Sequence, residues 1–238
     1  MKKAIVIGAS SGMGRELAGI LAGSGYVVGV MARRVPLLDE LCSEVKSEML
    51  VREIDVADAE TAMEKLANLI KEMGGADLIV ISAGTGDINY DFKWQQEKDT
   101  VVTNVLGFAA LANVAIHHFI ERGSGHLVGI SSIAALRGGR ASPAYNASKA
   151  FESNYMEGLR QKIARLRLPI TVTDIRPGFV KTDMLKAQNV FWASPPDKAA
   201  MQIYSAIDRK KSCAYVTRRW RLIAWLMKIL PARVYERL

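Results

Sequence analysis

Cysteine is scarce in this chain, and long apolar runs are missing. Two cysteines, Cys42 and Cys213, occur in 238 residues. They lie far apart and show no metal-ligand spacing, so neither a disulfide framework nor a bound metal is expected; a single Cys42–Cys213 bond stays open. Such usage fits a reducing compartment, and a cytoplasmic location is expected. No stretch reaches the apolar length of a membrane span. The opening Met1-Lys2-Lys3-Ala4 is basic and then apolar, but that run is too short for a signal-peptide core. Internal repeats and low-complexity linkers are absent, so nothing splits the chain. The net charge of +8 comes without basic motifs that recur among aromatics, which argues against a nucleic-acid partner.

What is present reads as an ordinary globular α/β chain. Hydrophobic residues make up 50% and charged residues 24%, enough for one domain with a sizeable core. Apolar, β-branched runs predict strands at 3–7, 26–31, 50–54, 77–82, 127–130, 170–175 and 214–217. Helical patterns lie between them. One carries Leu17, Ala18, Ile20 and Leu21; another spans 35–46 with Pro36 near its start. A third is capped by Asp58 and runs to 72. A long one covers 93–122, and Pro143 opens the next. The alternation predicts a doubly wound parallel sheet of about seven strands with helices on both faces.

Three local patterns point to chemistry. The first strand runs into Gly8-Ala9-Ser10-Ser11-Gly12-Met13-Gly14 and then a helix. A strand, a glycine-rich turn and a helix start can cradle a pyrophosphate on free N–H groups and the positive end of the helix dipole; without a ligand it is a plain βα turn. Ser131 and Ser132 stand where the fifth strand ends. A hydroxyl there can bond a substrate oxygen or merely cap a turn. Tyr145 and Lys149 stand four apart, which in a helix puts both on one face. An ammonium beside a phenol favours the phenolate and brings it toward acid–base work at neutral pH. The same pair is also common on solvated helix faces, so its meaning depends on its surroundings.

Taken together, these motifs resemble the classical short-chain dehydrogenase/reductase family over nearly the whole length, from Lys3 to about Val216. The family's Thr-Gly-x-x-x-Gly-x-Gly reads Ile7-Gly8-Ala9-Ser10-Ser11-Gly12-Met13-Gly14. Its serine, thirteen residues before the tyrosine, falls on Ser132, with Tyr145 and Lys149 completing the set. Its helical asparagine matches Asn104, and its Pro-Gly segment reads Pro177-Gly178-Phe179-Val180-Lys181-Thr182. Two positions depart: Ile7 replaces the threonine, and Ile81-Ser82-Ala83-Gly84 lacks both asparagines of Asn-Asn-Ala-Gly. The resemblance implies a Rossmann-like catalytic domain over 1–217, a nicotinamide cofactor, and a homodimer or homotetramer.

The resemblance also implies roles. Tyr145 moves the proton, Lys149 assists it and holds the nicotinamide ribose, Ser132 orients the carbonyl, and Asn104 holds a water linking Lys149 to solvent. Asn104 can instead be a buried polar residue satisfying a helix kink. The cofactor lies against Gly8, Ser10, Ser11, Gly12, Met13 and Gly14, against Ala83 and Gly84, and against Tyr145 and Lys149. Pro177 and Gly178 also lie against the cofactor, the backbone around Phe179 and Val180 holds the carboxamide, and Thr182 takes a phosphate oxygen. Asp55 and Val56 match an adenine-contacting pair, although Asp55 is equally a turn residue. At the end of the second strand, Ala32 occupies the place of the acid in NAD-preferring members. Arg33 occupies that of the arginine in NADP-preferring ones, with Arg34 next to it. NADP(H) is therefore expected, because a guanidinium clamps a phosphate; the alternative is a solvated basic pair.

The expected reaction is the reduction of an apolar ketone or aldehyde, or the reverse oxidation of the alcohol. A non-catalytic NADP(H)-binding regulator on the same fold is the alternative. Phe179, Met184, Leu185, Val190, Phe191 and Trp192 suit a mobile lid over an apolar site, with Tyr90, Phe92 and Trp94 on the same side; the same residues also suit core or a subunit contact. The tail, 218–238, reads as a basic amphipathic helical extension. Leu222, Trp225, Leu226 and Ile229 share one helical face, expected to be buried against the lid or a second subunit. Docking on an anionic membrane surface is the other reading.

Overall fold

The structure, a computed structural model, describes residues 1–45, 47–182 and 191–237. Seven parallel strands form one sheet: β1 (Lys3–Ile7), β2 (Val27–Ala32), β3 (Met49–Glu53), β4 (Leu78–Ile81), β5 (Gly125–Ile130), β6 (Ile170–Pro177) and β7 (Cys213–Val216). Their order is β3-β2-β1-β4-β5-β6-β7, the doubly wound order in which the chain reverses direction between β1 and β4. Strands in such a sheet are covered on both faces, and successive side chains serve opposite faces. Ile5 and Ile7 join one core cluster with Leu66, Phe108 and Met156. Ala4 and Val6 join the other with Leu17, Leu38 and Ile203. That is why β1 reads as unbroken apolar sequence rather than as an alternation.

The helices are α1 (Gly12–Gly23), α2 (Val35–Val45), α3 (Ala59–Glu72), α4 (Trp94–Val101), α5 (Phe108–Arg122), α6 (Pro143–Leu166), α7 (Pro196–Asp208), α8 (Trp220–Ile229) and α9 (Ala232–Tyr235). Asp58 caps α3 by accepting the Thr61 N–H, as its spacing predicts. Gly123, in the left-handed region, ends α5. The predicted long helix over 93–122 is continuous but interrupted by a π segment, Val102–Gly107. By length and composition this helix, Trp94–Arg122, is apolar enough to cross a membrane, which corrects the sequence expectation that no stretch is. Phe108, Leu111, Ala115 and Phe119 pack it into the core, where an apolar helix is equally at home.

The tail differs most from expectation. Leu222, Trp225, Leu226 and Ile229 do lie on one face, but that face is exposed. The buried stripe is Trp220 and Ala224, with Ile223 and Met227 partly covered. Both stripes have helical spacing. The second wins because Trp220 fills the space left by Gly178, where any Cβ would collide with the indole. Trp220 also stacks edge-on to Phe179 at 5.3 Å and lies 5.2 Å from Phe191. The expected contact between tail and lid is thus made, by a different residue. Met184, Leu185 and Val190 lie outside the described residues.

Candidate active site

The site forms where β1, β4 and β5 end. Gly8 follows β1 with φ +88°, and a Cβ on it would stand 2.5 Å from the Ala83 backbone nitrogen; both the conformation and the contact require glycine. Gly12, with φ +58°, opens α1 and lies under Thr182, whose Cγ2 would be 2.9 Å from an added Cβ. The turn, the Ala83-Gly84 loop and the Pro-Gly segment therefore meet. Ser11, at the cap of α1, makes no side-chain bond to the helix, so the first N–H groups receive no side-chain cap from it, as an anion site needs. A cleft runs from this turn past Ala32, Arg33 and Arg34 to Asp55 and Val56, and along Ala83 and Gly84.

The basic pair closes one end of the cleft. Arg34 donates to Ser10 Oγ at 3.1 Å and Ser11 Oγ at 2.7 Å, tying the end of β2 to the glycine turn. Arg33 reaches outward, 4.0 Å from Asp55. The other Asp55 oxygen accepts the Ala57 N–H at 3.0 Å, so Asp55 forms a turn and still faces the cleft. A dinucleotide phosphate fits this surroundings: glycine backbone, free N–H groups and two guanidinium groups, with no carboxylate at Ala32.

Deeper in, α6 presents Tyr145 and Lys149. Lys149 is buried; its Nζ donates to the Ile130 carbonyl, the last of β5, at 3.0 Å and lies 5.9 Å from the centre of the Tyr145 ring. Tyr145 packs against Gly86, where a Cβ would overlap the ring. Ser132, two residues beyond Ile130, caps the short 3-10 turn Ile133–Leu136 by accepting the Ala134 N–H at 3.1 Å. Its own proton is left to donate. Asn146 donates to the carbonyls of Ala134 and Arg137 and so holds that turn on α6.

Asn104 sits in the π segment, fully buried. Its amide donates to Thr85 O at 2.7 Å and Ser148 Oγ at 3.0 Å, and its oxygen accepts the Thr85 N–H at 2.8 Å. It clamps the loop after β4 onto α6. A point beside Gly84 lies 3.2 Å from Lys149 Nζ and 3.3 Å from Asn104 Oδ1, so the lysine and asparagine face the same spot.

Sequence reasoning missed Glu152. Its carboxylate accepts from Lys149 Nζ at 2.9 and 3.0 Å, with both side chains buried. Burial pushes the Glu152 carboxyl up to about 7 against the pull of Lys149. Burial also works against the Lys149 ammonium, but Glu152 and then Tyr145 outweigh it and its pKa goes up. The signal was the i,i+3 spacing of Glu152 from Lys149. Behind them, buried Asp174 accepts from Ser131, Ser153 and Arg176. Ser131, bonded to Asp174 and to the Ile175 carbonyl, therefore serves the sheet. A wider concavity at the opposite, amino-terminal sheet edge is lined by Lys3, Asp77, His118 and Arg122, far from these groups.

Comparison with known proteins gives the family and the fold. Residues 2–191 match the family model described as short chain dehydrogenase. An uncharacterized oxidoreductase of Myxococcus xanthus is 35% identical over 99% of this chain and 95% of its own length. Human 3-oxoacyl-[acyl-carrier-protein] reductase is 30% identical over 78% of each chain. Among solved structures, a short-chain dehydrogenase from Streptomyces avermitilis superposes with a TM-score of 0.82 at 25% identity, covering 95% of this chain and 91% of that one. A Sphingobium yanoikuyae short-chain dehydrogenase in complex with NADPH has the same TM-score at 19% identity over 98% and 97%, a likeness of fold. With its sheet order, glycine turn and Tyr-Lys helix, the chain is an oxidoreductase and belongs to the short-chain dehydrogenase/reductase family.

Proposed function

We propose that the chain is an NADP(H)-dependent carbonyl reductase that interconverts an apolar ketone or aldehyde with its alcohol. The observation that carries the reading is the gathering of Tyr145, Lys149 and Ser132 at the end of β5, beside a turn suited to a dinucleotide. When bound there, the nicotinamide supplies or accepts the hydride. Tyr145 gives its phenolic proton to the carbonyl oxygen, or takes one from the alcohol. The Lys149 charge steadies the phenolate left behind. Ser132 donates its free proton to the same oxygen as charge develops there. Asn104 keeps the Gly84-Thr85 loop seated against α6.

The cofactor choice rests on the end of β2, where Ala32 offers no carboxylate to a ribose and Arg33 offers its charge to a 2′-phosphate, while Arg34 braces the glycine turn through Ser10 and Ser11. Gly8, Ser10, Ser11, Gly12, Met13 and Gly14 take the pyrophosphate. Asp55 and Val56 take the adenine. Ala83 and Gly84 line the ribose side, Pro177, Gly178 and Val180 the carboxamide, and Thr182 a phosphate oxygen. The apolar substrate follows from Phe191, Trp192, Tyr90, Phe92 and Trp94, all exposed, and the human relative is itself named for reducing a 3-oxo group. A homodimer or homotetramer in the cytoplasm belongs to the same proposal. Turnover of NADPH with a panel of apolar ketones and aldehydes is the test. Tight NADPH binding without turnover of any of them points to the regulator instead.

A further inference from the structure

The outer stripe of α8 is an apolar surface with a charged border. Leu222, Trp225, Leu226 and Ile229 are exposed at 68, 65, 47 and 55%, and their spacing makes one continuous face. Arg221 and Lys228, two turns apart, lie along one edge of it. The segment 218–238 holds six basic residues and one acidic one, a net +5 out of the chain's +8. At the amino-terminal end of α8, Arg219 lies 5.2 Å from the Trp192 ring centre and donates to the Trp192 carbonyl at 2.8 Å. The half-exposed Trp192 thus extends the apolar patch.

These features select the occupant. A second copy meeting this face through a two-fold axis would set one +5 segment against another, and like charges oppose that contact. An anionic bilayer complements both parts: apolar side chains with a tryptophan enter the headgroup boundary, while arginines and lysine stay at the lipid phosphates. We infer that α8 is an interfacial helix that seats the protein on an anionic membrane surface through Leu222, Trp225, Leu226 and Ile229. Its inner stripe packs with Ile133, next to Ser132, and with Phe179. The seated helix therefore brings the substrate end of the site to the lipid. Only this last consequence rests on the apolar-carbonyl reading.

Co-sedimentation of the full chain with vesicles tests the inference. The protein should pellet with phosphatidylcholine vesicles containing phosphatidylserine and stay in solution with phosphatidylcholine alone. Trp225→Asp with Leu226→Asp, on exposed positions, should leave the melting temperature unchanged and weaken binding at least about tenfold. Arg218→Gln, Arg221→Gln and Lys228→Gln together should weaken it on the order of a hundredfold, as should high salt. Failure of the wild type to bind phosphatidylserine vesicles overturns the inference. So does binding that the Asp pair leaves intact. Light scattering that shows an oligomer dissociated by the Asp pair, with no vesicle binding, assigns the stripe to a second copy and overturns it as well. None of these readouts depends on turnover, so loss of the carbonyl-reductase reading leaves them unchanged.

Discussion

Lys149 holds both carboxylate oxygens of Glu152 within 3.0 Å, three residues along the same helix and out of contact with solvent. Removing one partner of such a pair strands the other charge. Glu152→Leu should cost about 3–5 kcal/mol of stability in urea unfolding. Glu152→Gln keeps the shape and gives the sharper readout. The wild-type carboxyl ionises near 7; below that pH it takes up a proton and Lys149 loses its anionic partner. The wild-type kcat profile should therefore bend near pH 7, and Glu152→Gln should erase the bend. A bend unchanged in that variant assigns it to another group.

Tyr145→Phe keeps the ring that packs on Gly86 and removes the hydroxyl. Turnover should drop by about a thousandfold or more, with NADPH affinity nearly unchanged. A variant that keeps over about a tenth of the wild-type rate would falsify the proton-transfer role.

Arg33 and Arg34 should separate in binding. Arg33 faces outward toward Asp55, so Arg33→Ala should weaken NADPH by roughly 1.5–3 kcal/mol and leave NADH almost untouched. Arg34 bonds Ser10 and Ser11, so Arg34→Ala should weaken both cofactors by loosening the turn. Titration followed by nicotinamide fluorescence reads both, and equal losses for Arg33→Ala make that residue structural.

His126 sets an acid limit. It is buried on β5 against Thr173 Oγ1 at 2.7 Å, and burial, helped by Lys210, depresses its pKa from 6.5 to about 4. Between these values the unfolded chain binds a proton that the folded chain refuses, so stability falls as pH drops from 6.5 to 4. The loss approaches about 3 kcal/mol at the low end. His126→Gln should flatten that part of a melting-temperature profile, whatever its effect at pH 7.

The sheet and the glycine turn were legible because each rests on local rules: apolar runs for strands buried on both faces, and glycines where no Cβ fits. The tail helix was half legible. Its spacing carries two apolar stripes, and what chose between them was the gap beside Gly178, a contact about forty residues away that no periodicity reports. The π segment at Asn104 showed in the sequence only as a possible helix kink: an inserted residue turns the apolar face that follows it by about 100°, but Trp94–Val101 buries only Thr100 and so carries no stripe against which the turn could be read. Glu152 went unread, although it stands three residues after Lys149; that spacing becomes an ion pair only because α6 turns the face toward the interior, where both side chains are buried.

Trp220 makes the protein its own optical probe. It is 3% exposed, whereas Trp94, Trp192 and Trp225 stand at 74, 42 and 65%. A water-soluble quencher should therefore extinguish three indoles and spare one, leaving blue-shifted emission from Trp220. That indole rests on Gly178 and Phe179, at the segment proposed to line the carboxamide. A reduced nicotinamide bound there absorbs where indole emits. Energy transfer from this single residue would report cofactor occupancy and the docking of α8 in one measurement, without any attached dye.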